Sequence, residues 1–196
     1  MKYNVDMKLA HFYQGLGQDW FTYPNLYMDM VRRFGDGSNF VEVGSWKGRS
    51  ACFMAVEIHN SGKAIHLDCV DTFEGSPEHT NPDWPAYDPI LSTRDGLYKE
   101  FLRNTRPVRH IITPIRMSSV EAATLYEDES LEFVFIDAAH DYDSVRADIR
   151  AWVDKVKPGG VLAGHDYPWC DGVRAAVAAE IGRVREDEGC WIWAKA

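Results

Sequence analysis

FVEVGSWKGRS, residues 40–50, reads as a buried strand that breaks at a glycine turn and then opens a helix. A chain that halts on Gly44 and Gly48 between two apolar segments makes room for something close to its backbone. The dinucleotide fingerprint G-x-G-x-x-G is absent, because Trp46 stands in its middle position, and no G-K-[ST] follows to make a P-loop. What remains is E-x-G-x-x-x-G-x-S, running from Glu42 to Ser50. A carboxylate beside the turn repels a pyrophosphate and suits a cationic centre, an ammonium or a sulfonium. A tight turn with no ligand is the alternative reading of the two glycines taken alone.

Outward from this stretch the chain alternates. Residues 20–34 carry apolar groups at helical spacing, with Leu26, Met30, Val31 and Phe34 on one side. FVEVG then reads as a strand, GRSACFMAVEIHNSG as a helix ended by Gly62, and AIHLDCVDTF as a second strand. Later strands are HIITPI, LEFVFID, GVLAGHDY and CWIWAKA; helices fall on DGLYKEFLRNT, SSVEAATLYE, SVRADIRAWVDKV and GVRAAVAAEIG. The total is about seven strands and five or six helices. Such alternation predicts βαβ units, a parallel sheet and helices on both faces. Ligands of such sheets sit at the carboxyl ends of the strands. Residues 74–90 break the rhythm with a long loop rich in Pro, Asp and aromatics, the kind of loop that carries function.

The 196 residues suit one domain, and 45% hydrophobic content supplies a core. A net charge of -9 argues against nucleic acid or an anionic membrane as partner. Cys52, Cys69, Cys170 and Cys190 show no C-x-x-C spacing, so neither a zinc site nor a disulfide framework is expected. The first residues lack a continuous apolar run, which predicts a cytoplasmic protein without a signal peptide.

The polar residues that could do chemistry fall just past strand ends. Asp71 follows the second strand, where an acid can grip ribose hydroxyls. Ser118 and Ser119 follow the third. Asp137 and His140 follow LEFVFI, and His165 and Asp166 follow GVLAG. His59 and His79 read as solvated loop histidines, and Trp191 and Trp193 as core or sheet-face residues.

Together these segments resemble the class I S-adenosylmethionine-dependent methyltransferases, and within them the small-molecule O-methyltransferase-like branch. VEVGSWKGRS is similar to that branch's first motif, VDTFEGS to its second-strand motif, and RMSSVEAA to its adenine-side segment. VFIDAAHDYDSVRADIRAWVDKVKPGGVLAGHDY resembles the run from fourth to fifth strand, so the likeness extends from about residue 20 to the end. The resemblance implies a Rossmann-like, doubly wound sheet of seven mostly parallel strands, the last antiparallel. It implies one methyltransferase domain over residues 1–196, with a helical cap over 1–37 and a substrate-side insertion over 74–106.

By the same resemblance, the cofactor's methionine part lies along Glu42, Gly44, Ser45 and Trp46, with Gly48 and Ser50 completing the motif. Its ribose sits on Asp71, its adenine near Thr72, Phe73, Met117 and Ser118, and Asp137 borders the cofactor. Metal-dependent relatives hold their ion through acids at the fourth and fifth strand ends, which here implies magnesium or manganese on Asp137, His165 and Asp166. The His165–Asp166 pair departs from the two acids, or Asp-Asn, usual there. His140 offers a second route as a general base that needs no ion, with Asp137 beside it. The expected reaction is methyl transfer to a hydroxyl of a small sugar, aromatic or natural product by a chain that can form a homo-oligomer. A hydroxylase-like, metal-dependent relative on the same fold and a non-catalytic cofactor-binding module are the rival readings.

Overall fold

The computed structural model describes residues 8–18 and 20–196. Seven strands form one sheet in the order β3-β2-β1-β4-β5-β7-β6. They are β1 (Asn39–Val43), β2 (His66–Asp71), β3 (Ile112–Arg116), β4 (Leu131–Ile136), β5 (Val156–Gly164), β6 (Arg185–Asp187) and β7 (Cys190–Ala194). β1 through β5 pair in parallel, and β7 runs antiparallel between β5 and β6. The chain steps from β1 out to β3, then returns to lay β4 on the other side of β1. That reversal puts a switch point, and a crevice, between the carboxyl ends of β1 and β4.

The helices are α1 (Pro24–Arg33), α2 (Arg49–Ser61), α3 (Pro77–Thr80), α4 (Gly96–Thr105), α5 (Ser119–Ala123), α6 (Tyr142–Trp152) and α7 (Asp171–Glu180). Strand periodicity sorts the core into two layers. Phe40, Leu67, Cys69, Phe133 and Phe135 join one cluster with α1, α2 and α4. Val41, Val43, Val134, Ile136 and Trp191 join the other with α6 and α7. Trp191 is thus a core residue, as its alternation with Trp193 suggests, and all four cysteines are free thiols.

Several elements differ from the sequence expectation. Residues 20–23 are not helical; α1 begins at Pro24, whose fixed φ suits the first helical position and whose ring disfavours helix in the residue before it. The expected helical cap is therefore a 3-10 turn at Tyr13–Gly15, an irregular strap and α1; residues 1–7 and 19 of that cap lie outside the described residues. The long loop holds α3 and a 3-10 turn at Pro89–Ser92. β5 starts at Val156, so KPGG is an irregularity inside a strand opposite Leu131–Phe133 and not a gap before one. β6 carries no apolar pattern, all three residues being exposed, and is held by its register with β7.

Candidate active site

The turn after β1 is built by two glycines in the left-handed region, Gly44 at φ 90° and Gly48 at φ 81°. A Cβ on Gly44 would lie 1.9 Å from the Asp137 carbonyl oxygen, and one on Gly48 would press on Phe101 and Thr105 of α4. What comes close to this backbone is first of all the protein itself: the end of β4 at Gly44, the α4 helix at Gly48. Between them Trp46 is also left-handed, at φ 48°. Such a conformation in a bulky residue is strained and clusters at functional sites.

Asp71 holds that strain in place. One carboxylate oxygen accepts the Trp46 N–H at 2.8 Å and the other accepts the Phe73 N–H at 2.6 Å. Phe73 is left-handed too, at φ 57°. Burial raises the Asp71 pKa, and the two N–H donors oppose that rise. Each oxygen keeps a second lone pair for a ligand.

The crevice opens onto a cleft of about 800 Å³. Of the residues expected to bind cofactor, Gly44, Ser45, Trp46, Ser50, Asp71 and Thr72 line it, as do Met117 and Asp137. Four others do not. Gly48 faces α4. Phe73 packs on Tyr98 and Phe101. Ser118 caps α5 in a reciprocal pair with Glu121, and its neighbour Ser119 lines the cleft instead. Glu42 shares a sheet face with Phe40, so it is covered by α1 and only 1% exposed. Tyr27 donates to it at 2.7 Å. Burial lifts its pKa to about 7, against the Tyr27 hydroxyl and the nearby Ser45 and Ser50 hydroxyls. Ser45 lines the cleft, and its buried hydroxyl sits between that wall and the Glu42 carboxyl beneath it.

At the far wall, the ends of β4 and β5 bring two carboxylates and two imidazoles together. His140 Nε2 lies 3.0 Å from Asp166 Oδ2. His165 Nδ1 lies 3.4 Å from the same oxygen and 3.8 Å from Asp137 Oδ1. Asp166 is left-handed at φ 58°, a conformation Asp tolerates better than most residues. Hydrogen bonding to Asp166 raises the His140 pKa against the pull of burial. For His165, burial lowers it but Asp166 and Asp137 outweigh that, and the net shift is upward. Burial pushes Asp166 up, yet its two imidazole partners hold it well below the usual carboxylate range. Asp137 is raised by burial and by Asp166, in part offset by His165 and Tyr23.

The metal set expected from sequence was Asp137, His165 and Asp166. Among the described residues, Asp137, His140 and Asp166 offer donor atoms that all lie within 4.8 Å of one another. His165 keeps Nδ1 toward the same two carboxylates, while its Nε2 lies 2.9 Å from the Thr22 hydroxyl, and it is 7% exposed. Two oxygens and an imidazole nitrogen suit a divalent ion chemically.

The strap before α1 belongs to the aromatic segment HFYQGLGQDWFTY, which from sequence could cover the active site or a partner subunit, and it lines the cleft. Tyr23 donates to Asp137 Oδ2 at 2.8 Å and is itself buried. Trp20 and Thr22 line the cleft. His79 is not solvated: its ring packs at a tilt against Trp46, with centroids 4.3 Å apart. Trp84, in the 74–90 loop, lines the cleft too. The only available signal for the strap was its density of aromatics.

A family model described as a methyltransferase domain matches residues 41–167, more than half of the chain. The O-methyltransferase NovP has a similar structure, with a TM-score of 0.64 at 17% identity over 88% of this chain and 78% of that one. Aeropyrum pernix fibrillarin in complex with natively bound S-adenosyl-L-methionine superposes with a TM-score of 0.52, at 13% identity over 86% of this chain and 72% of that one. At these identities the likeness speaks for the fold. Among curated sequences, the uncharacterized protein y4gI of Sinorhizobium fredii (strain NBRC 101917 / NGR234) is 24% identical over 83% of this chain. The match spans only 16% of that protein's length. Among the described residues, no helix is long and apolar enough to cross a membrane.

Proposed function

Because this chain belongs to the methyltransferase-domain family, we propose that it transfers a methyl group from S-adenosylmethionine to a hydroxyl of a small acceptor. One observation carries this reading. Asp71, Ser45 and the His140–Asp166 pair all line the same cleft, at the switch point of the sheet. The cofactor, when bound, supplies a methyl group already made electrophilic by its sulfonium.

The protein's own work is alignment and proton removal. Asp71 offers its remaining lone pairs to the ribose hydroxyls, and Ser45 offers its hydroxyl to the amino-acid end. Met117 and Thr72 flank the adenine, while Glu42 acts from beneath by setting the turn. On the acceptor side, the His140 Nε2–H is assigned to Asp166 from their 3.0 Å contact. That tautomer leaves Nδ1 to take the proton as the acceptor oxygen bonds to the methyl carbon. Asp166 stabilises the imidazolium that results.

Calorimetry tests the cofactor half. Binding of S-adenosylmethionine or its demethylated product is expected near micromolar, roughly 8 kcal/mol. Asp71→Ala should weaken it by about 1.5–3 kcal/mol through loss of charge-assisted hydrogen bonds. Equal affinity in a folded variant would remove Asp71 from the ribose site.

The compact Asp137, His140 and Asp166 donors support a second reading. If a magnesium or manganese ion is held there, those three residues hold it, and it supplies Lewis acidity that lowers the pKa of an acceptor hydroxyl. An imidazole that ligates an ion is no longer a base, so the readings exclude each other. With His140 as base, activity is indifferent to EDTA. Loss of activity in EDTA with recovery on adding magnesium or manganese would decide for the ion.

A further inference from the structure

Nothing within α1 caps its own start. Tyr23, at the N-cap, makes no side-chain capping bond, Pro24 has no N–H to offer, and the first turn holds no acid. The cap comes from the turn between β6 and β7. Glu188 Oε2 accepts the Asn25 and Leu26 backbone N–H groups at 3.1 and 3.2 Å, and Oε1 accepts from the Asn25 amide at 2.6 Å. A carboxylate in that place meets the positive end of the helix. The backbone of the same turn is left-handed at Glu188, φ 51°, and at Gly189, φ 80°. A Cβ on Gly189 would lie 2.3 Å from the Trp169 ring and 3.4 Å from His165 Nε2, so the turn lies directly against both rings. It also takes hold of the strap, because the Glu188 carbonyl accepts the Thr22 hydroxyl at 3.4 Å.

Thr22 passes this hold on to the far wall of the cleft. Its one proton is committed to Glu188, so its oxygen is left to accept from His165 Nε2 at 2.9 Å. That contact turns the other edge of the ring inward, with Nδ1 3.4 Å from Asp166 Oδ2 and 3.8 Å from Asp137 Oδ1. The same Asp166 oxygen lies 3.0 Å from His140 Nε2. An oxygen shared by two imidazoles cannot follow one without leaving the other. His165 is buried and held on both edges, whereas the His140 side chain is 40% exposed and has Asp166 as its one close side-chain partner among the described residues. Position is therefore handed from His165 to His140. A shift of about 1 Å in a catalytic group costs on the order of 10²-fold in rate.

We propose that Thr22 is a positioning residue for His140: seated by the Glu188 turn, it holds the His165 ring, and His165 holds the Asp166 carboxylate in place beside His140. This rests on the reading of His140 as the base on the acceptor side. It also gives the charged β6–β7 hairpin a task that its sequence does not announce.

Two-bond 1H–15N correlation spectra of the imidazole rings, recorded on the 15N-labelled full chain, separate the two nitrogens of each histidine and show which of them is hydrogen-bonded. Thr22→Val keeps the shape of the side chain and deletes the hydroxyl. Thr22 is exposed at the cleft wall, so the change opens no core cavity. The His165 Nε2 signal should lose its hydrogen-bonded position in this variant. The His140 signals should shift with it, although Thr22 does not touch that ring. Thr22→Ser should keep both as in the wild type. Glu188→Ala leaves Thr22 in place but removes the seat of the strap, and should move the same signals by a second route. S-adenosylhomocysteine affinity, measured by calorimetry, should stay within about twofold throughout. A purely structural role would lower Tm and leave the His140 signals where they are. His140 signals unmoved in a folded Thr22→Val protein, or displaced equally in Thr22→Ser, would overturn the proposal. Rings unmoved in a folded Glu188→Ala protein would overturn the part given to the turn. Wild-type protein that binds no S-adenosylhomocysteine would count against the cofactor reading and not against this one, since the ring signals are read on the free protein.

Discussion

His140→Gln is expected to lower kcat by about 10²–10⁴, the usual contribution of a positioned general base. S-adenosylmethionine affinity should hardly move, because His140 stands at the end of β4 on the acceptor side of the cleft. The pH profile gives the sharper test. A base works when neutral, so the rate falls as pH drops through its pKa. Hydrogen bonding to Asp166 raises the His140 pKa above its ordinary value, which is about 6.5 for an unperturbed imidazole. Half-maximal kcat in the wild type therefore lies above that pH. Asp166→Asn keeps a hydrogen-bonding partner but removes the charge, and should move the midpoint down. In His140→Gln the dependence should vanish. A variant that keeps the wild-type pH profile would show that another group takes the proton, and loss of activity in EDTA would assign His140 to an ion.

The same linkage reaches stability. A raised folded pKa means that the His140 contact stabilises fully below the unfolded imidazole pKa, and that this contribution fades as pH rises through the folded one. Asp166 behaves in the opposite sense. Its depressed pKa contributes stability above the unfolded carboxylate value, lost as pH falls toward the folded value. Activity and the His140 contribution to stability thus pull in opposite directions as pH rises through the folded His140 pKa.

Much of the sheet was legible because its strands are apolar runs bounded by turn residues, and because alternation with helices admits few topologies. The placing of Asp71, Asp137 and His140 beside the cleft was legible for the same reason: loops after parallel strands end at one edge. What escaped depends on three-dimensional neighbours. Glu42 was read beside a ligand, although its two-residue spacing from Phe40 puts it on the α1 face, under Tyr27. His165 and His140 both follow strand ends and both reach Asp166, and only the fold shows that His140 joins the two carboxylates in a compact set while Thr22 takes the far nitrogen of His165. The strap carries Trp20, Thr22 and Tyr23 with no periodicity to place them, because it follows the cleft and not a sheet or helix. β6, three exposed charged residues, takes its structure wholly from β7.

Gly44→Ala is expected to destabilise the fold by at least about 3 kcal/mol, two effects adding. A left-handed backbone costs a non-glycine residue roughly 1–2 kcal/mol, and Gly44 sits at φ 90°. The new Cβ would also lie 1.9 Å from the Asp137 carbonyl oxygen and 2.9 Å from Ala138 Cα. These are backbone atoms that cannot swing aside as a side chain can, so β1 and β4 must part at the switch point. For a chain of this size, such a loss lowers Tm by roughly 6–12 °C. Gly62→Ala is the control. Gly62 is left-handed at φ 71° but nothing lies within 4 Å of its would-be Cβ, so only the backbone term of about 1–2 kcal/mol should appear. Thermal or urea unfolding of the two variants measures the difference. A Gly44→Ala protein no less stable than Gly62→Ala would mean that the two strand ends yield without cost, and that their close approach does not define the crevice. If the gap appears, the glycine at the end of β1 answers to the neighbouring strand before it answers to any ligand. Lost cofactor binding in a Gly44 variant would then report a displaced Asp137, not a missing cofactor contact.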